Sequence, residues 1–76
     1  GDVYKRQVVT FLWRAAGKPI VDETINFVDV SPNSYCYNAM QWAVANGITK
    51  GTDTTHFSPN ATCTRGQVVT FLYRAQ

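Results

Sequence analysis

The stretch QVVTFLWRA at residues 7–15 returns as QVVTFLYRA at residues 67–75. Eight of the nine positions are identical, and the ninth exchanges Trp13 for Tyr73. An offset of 60 residues in a chain of 76 leaves room for one whole unit and the closing part of a preceding one. Self-similarity at such a period marks an architecture in which each unit packs on the next. The chain therefore reads as part of a longer array, whose units share a core with one another or with partner chains.

The repeated stretch has helical periodicity. Val68, Phe71, Leu72 and Ala75 fall at i, i+3, i+4 and i+7, and Val8, Phe11, Leu12 and Ala15 do the same. Thr64 with Gln67 three residues on is a capping box: the hydroxyl accepts from the Gln67 N–H while the glutamine side chain reaches back. Tyr4 stands at the equivalent place of the first copy, which has lost that cap. Gly17 closes the first helix and Pro19 prevents its continuation. Between the copies, Tyr35, Ala39, Trp42, Ala43 and Val44 give a second helical face. Ser31-Pro32 favours a turn or helix start ahead of it, and Asn46-Gly47 is a strong stop. Residues 17–26 read as a polar connector in which Ile20, Val21 and Ile25 are available to pack. Residues 48–62 form an aperiodic loop with a short extended piece at Ile48-Thr49. The predicted fold class is all-α: helix, long loop, helix, preceded by FVDV at Phe27 to Val30.

Composition excludes several functions. With 45% hydrophobic and 16% charged residues the chain is globular, but at this length its core is thin. A net charge of +2 points neither to nucleic acid nor to an anionic membrane. No apolar run approaches the roughly 20 residues of a membrane span, and residues 1–15 do not read as a signal peptide. No His/Cys/Asp set has triad logic, and Asp29 and Asp53, the only acids after Phe27, fall in separate loops. Cys36 and Cys63 lack zinc-site spacing, and His56 is the only histidine, so no metal or other cofactor is expected. Two readings of the cysteines stand: one Cys36–Cys63 disulfide, or two separate reduced thiols.

Five short motifs occur in order: F-x-D-V at 27–30, A-x-x-W-A at 39–43, G-I-T-x-G at 47–51, F-S-P at 57–59 and T-R-G-Q at 64–67. In this order and spacing residues 27–75 resemble an S-layer homology domain. The resemblance divides the chain into a leader (1–6), the last helix of a preceding repeat (7–17), a linker (18–26) and one repeat (27–76). It implies three tandem copies in a pseudo-threefold bundle near one end of a secreted bacterial surface protein. Grooves between copies would bind secondary cell-wall polysaccharide, often through a pyruvylated sugar, and anchor the protein to the envelope without catalysis. Its partners would be that polysaccharide and the neighbouring repeats.

The resemblance also names site residues. Arg65 matches the arginine of the family's T-R-A-E motif, and a planar guanidinium in the first turn of a helix suits the carboxylate of a ketal-linked pyruvate. Here the motif reads TRGQ, and Gln67 replaces the glutamate. Gly51 and Thr52 would offer backbone N–H groups to the sugar. Tyr35 stands where the family often has tryptophan and would stack on a sugar face. Asp29 is a further candidate, more suited to bracing the following turn than to ligand contact. Trp42 reads as core, Arg14 and Arg74 as solvated, and His56 as an ordinary loop residue. Asn60-Ala61-Thr62 matches a glycosylation sequon, to which a bacterial source gives no role.

DVYKRQ at residues 2–7 looks like a translated sequencing-library adapter, which makes residues 1–6 a non-native leader. By the period, Lys5 and Arg6 stand opposite Arg65 and Gly66, yet no binding role is assigned to them. The competing function is a structural or protein-interaction repeat that binds no glycan.

Overall fold

The computed structural model describes residues 3–22, 25–52 and 55–76. Three helices carry it: α1 (Lys5–Ala15), α2 (Tyr37–Ala45) and α3 (Arg65–Arg74). They are joined by long connections and by one antiparallel pair of two-residue strands, β1 (Val3–Tyr4) and β2 (Thr62–Cys63), with Val3 opposite Cys63 and Tyr4 opposite Thr62. The helical class expected from the periodicity holds. The small ladder is an addition, and β1 lies inside the segment read as a leader.

α1 begins at Lys5 rather than Gln7, and it packs on α2. Val8, Val9 and Leu12 supply its buried face. α2 is enclosed over five consecutive residues, Ala39 to Ala43, and the fully buried Ala39 and Ala43 let neighbouring chain approach closely. Phe27, Val30, Cys36, Ile48, Phe57 and Cys63 complete the core from the surrounding loops. Trp42 is core, as read, whereas Tyr35 lies in the turn before α2 and is 57% exposed. Ile48 and Thr49 are buried but form no strand.

Both α1 and α2 end in the same backbone motif. Gly17 (φ 91°) donates its N–H to Arg14 O and Lys18 to Trp13 O; Gly47 (φ 70°) donates to Val44 O and Ile48 to Ala43 O. These 5→2 and 6→1 bonds satisfy terminal carbonyls, and the glycine takes the left-handed position without a Cβ penalty. The connector is fixed by two side chains. Gln41 accepts from the Ile25 N–H (2.8 Å) and donates to the Ile25 carbonyl (2.6 Å), and Trp13 Nε1 donates to Pro19 O (2.7 Å).

α3 repeats the sequence of α1 in a different environment. None of its residues is buried, and Val69, Leu72 and Tyr73 are exposed, although Val68, Phe71 and Ala75 pack against the core. Arg74, read as solvated, donates to Ile48 O (3.3 Å) and ties α3 to the end of α2. An open apolar groove of about 360 Å³ runs between α1 and α3, lined by Val8, Phe11, Leu12, Val68 and Leu72 among others.

Candidate functional site

Of the candidate residues, Gly51 and Thr52 lie on the loop that leaves α2, and its shape is set by Phe57. That ring is fully buried and lies 5.8 Å from Phe27, tilted by 47°. The backbone around it is held from two directions. Asp29 Oδ1 accepts from the Phe57 N–H (2.9 Å) and Oδ2 from the Ser58 N–H (2.8 Å). Lys5 Nζ donates to Phe57 O (2.7 Å) and Lys50 O (2.8 Å), and lies 4.2 Å from the centroid of the Phe57 ring. The Thr52 N–H donates to His56 O (2.8 Å), and the Thr52 and Ser58 hydroxyls are hydrogen-bonded to each other.

Charge and burial act on both clamping groups. Burial pushes the Asp29 carboxyl up, but the N–H groups of Phe57 and Ser58, its own N–H and nearby His56 outweigh this and hold it below its ordinary value. Burial of Lys5 lowers its pKa from the ordinary value, against the opposing pull of Cys63 and Asp29.

The head of α1 closes over the same loop. The Lys5 N–H donates to Ala61 O (2.8 Å) and the Arg6 N–H to Pro59 O (3.0 Å), so the first-turn donors are spent within the chain. Arg6 Nε donates to the Tyr35 hydroxyl (3.1 Å), Nη1 to Asn60 Oδ1, and the guanidinium carbon stands 4.5 Å from the centroid of Tyr4. The lost cap is half retained, because Gln7 Oε1 still accepts from the Tyr4 N–H (2.9 Å).

Arg65 is placed differently. It opens α3, whose capping box forms as the sequence predicts: Thr64 Oγ1 accepts from the Gln67 N–H (3.2 Å) and Gln67 Oε1 from the Thr64 N–H (2.7 Å). Among the described residues, the Arg65 guanidinium and the Arg65 and Gly66 N–H groups have no hydrogen-bond partner. No acidic residue occupies the first turn of either α1 or α3.

The structure thus links Asp29 to Thr52 through Phe57 and Ser58, with Gly51 next to Thr52, ties Tyr35 to Arg6, and leaves Arg65 hydrogen-bonded to none of them. It amends one expectation, since the Thr52 N–H is engaged by His56 O. Sequence reasoning gives no site role to Lys5, Arg6 or Asn60. The 60-residue period does set Lys5 opposite Arg65, but the adapter-like DVYKRQ stretch leads to no role being assigned to it. Cys36 and Cys63 are both buried and no disulfide joins them; Cys36 Sγ lies 3.2 Å from Ser34 Oγ. Asp53 lies outside the described residues. Among the described residues no group of three or more His, Cys, Asp or Glu is arranged to hold a metal, and no helix is long and apolar enough to cross a membrane.

A family model described as the S-layer homology domain matches residues 26–69, more than half of the chain. No curated protein and no solved structure matches it.

Proposed function

The chain belongs to the S-layer homology domain family, and from that premise we propose that it binds pyruvylated secondary cell-wall polysaccharide and so holds a secreted surface protein on a bacterial envelope. Domains of this family are non-catalytic and anchor the proteins that carry them to cell-wall polymers at the cell surface. The finer reading concerns which sugar is bound and by which residues.

The observation that supports it most is the state of Arg65. A guanidinium and two first-turn N–H groups without partners among the described residues, in a turn that holds no carboxylate, suit a planar carboxylate such as that of a ketal-linked pyruvate. Position 5, which stands 60 residues earlier, suggests where Arg65 goes in an array. Lys5 reaches into the loop that follows α2, on to Lys50 O and Phe57 O. By the same geometry Arg65 would face the corresponding loop of a following repeat. In this chain the equivalent place is where the head of α1 meets the α2 loop. Tyr35, which is 57% exposed, would lie against a sugar face there, with Gly51 and Thr52 beside it.

The domain division follows from this reading. Residues 7–17 are the last helix of a preceding repeat, 18–26 the linker and 27–76 one repeat of a three-repeat, pseudo-threefold bundle. The sequence reading sets residues 1–6 apart as a leader; residues 3–6 take the places that the period assigns to 63–66.

A three-repeat protein containing this unit, pulled down on purified cell walls, tests the reading. Wall binding should fall sharply on Arg65→Ala. Undiminished binding removes Arg65 from the site. Absence of binding by the unsubstituted protein favours the second reading, a structural or protein-interaction repeat, which the open apolar groove between α1 and α3 also supports.

A further inference from the structure

We propose that Asp29 is a positioning residue for the sugar-binding loop: its carboxylate clamps the Phe57–Ser58 backbone and thereby fixes Gly51 and Thr52 without meeting the ligand. The proposal rests on the glycan-binding reading above and adds to it the group that sets the loop's shape.

The geometry runs outward from the carboxylate. Each Asp29 oxygen accepts one backbone N–H, from Phe57 at 2.9 Å and from Ser58 at 2.8 Å. Such charge-assisted bonds are roughly twice as strong as neutral ones. The opposite side of the same residue is held by a cation, since Lys5 Nζ takes Phe57 O. Phe57 is thus gripped at its N–H by a negative group and at its carbonyl by a positive one, while its buried ring prevents it from sliding. Ser58 sits at φ 61°, a left-handed conformation that a serine holds only where its surroundings impose it. The bond from its N–H to Asp29 supplies that constraint.

From the clamped residues the shape passes to the candidate site. The Ser58 hydroxyl is bonded to the Thr52 hydroxyl, and the Thr52 N–H to His56 O, one residue before Phe57. Lys5 also holds Lys50 O, the residue before Gly51. Gly51 and Thr52 are therefore spanned by bonds that end on Phe57 and Ser58. The charged groups acting on Asp29 are His56 in the loop and Lys5 in α1.

The test combines amide spectra of the 76-residue chain with titration by purified pyruvylated cell-wall polysaccharide, for the unsubstituted chain, Asp29→Asn and Asp29→Ala. Without glycan, Asp29→Ala should shift the Gly51 and Thr52 amides and raise their hydrogen exchange about tenfold, with Asp29→Asn, which keeps one acceptor, between the two. Glycan affinity should fall in the same order, by about tenfold for alanine. Acidification should move the same amides reversibly in the unsubstituted chain and leave Asp29→Asn flat. Unmoved Gly51 and Thr52 amides in a folded Asp29→Ala chain overturn the proposal. So does lost glycan affinity with unmoved amides, which would make Asp29 a direct contact. If Asp29→Ala fails to fold, the asparagine variant and the acid titration decide by the same criteria. If the unsubstituted chain binds no polysaccharide, affinity is read on a three-repeat protein containing this unit, whose failure to bind sinks the anchoring reading, while the amides still decide the clamp.

Discussion

Phe57→Ala probes the joint between core and loop. The ring is fully buried, lies 5.8 Å from Phe27 and carries Lys5 Nζ 4.2 Å above it. Truncating a buried phenylalanine costs about 3–5 kcal/mol, because the transfer term is joined by a cavity that neighbours fill only partly. Loss of the ammonium–ring contact is part of that cost, at about 0.5–1 kcal/mol. A chain of 76 residues has a total stability of roughly 4–11 kcal/mol. The substitution therefore removes between about a quarter and all of the stability. Phe57→Leu keeps most of the volume and should cost about 1–1.5 kcal/mol. Urea unfolding followed by far-ultraviolet circular dichroism separates the cases: the leucine variant should unfold cooperatively at a lower midpoint, and the alanine variant should be largely unfolded or close to it. An alanine variant within about 1 kcal/mol of the unsubstituted chain, with an unchanged denaturant slope, would refute the placing of Phe57 at the centre of the core.

Three further outcomes follow from individual bonds. Thr64→Ala removes the hydroxyl that caps the Gln67 N–H and should cost about 1 kcal/mol in urea unfolding, with loss of helical signal from α3. Gln41→Leu deprives both backbone groups of Ile25 of their partner, and should cost about 1–3 kcal/mol and raise hydrogen exchange at the Ile25 amide. Asp29 has a folded pKa below its ordinary value of 3.8, so the stability it contributes is present above 3.8 and is lost as pH falls through the folded value. Acid unfolding of Asp29→Asn should lack that component, and identical acid profiles for the two chains would refute it.

The helices were legible because their signals are local. The Thr64/Gln67 box and the Gly17 and Gly47 stops depend on residues within one or two turns and stand in the structure as read, whereas the α1 stripe holds only at Val8 and Leu12: Phe11 and Ala15 are exposed, and Val9 is buried in their place because the face that meets α2 is set by packing. Tyr35 was misplaced on the α2 face because an aromatic one turn ahead of a helix fits the same period as one inside it. The loop was legible in composition only. Its shape depends on bonds from Asp29 and Lys5 to backbone groups, 28 and 52 residues distant from Phe57 in the chain, and such bonds leave no periodic trace. β1 escaped notice because a two-residue strand is too short for alternation to register. The difference between α1 and α3 was beyond any local signal, since nearly identical sequences end in a buried face and an open one.

The central claim is that this family member holds a carboxylate-bearing cell-wall sugar. Calorimetric titration of a three-repeat protein containing this unit, with cell-wall polysaccharide before and after chemical removal of the pyruvyl ketal, tests it most directly. The account predicts saturable binding to the intact polymer and a loss of at least about tenfold on depyruvylation, since a guanidinium–carboxylate contact is worth about 1.5–3 kcal/mol. Equal affinity for the two polymers, or none for either, would contradict it.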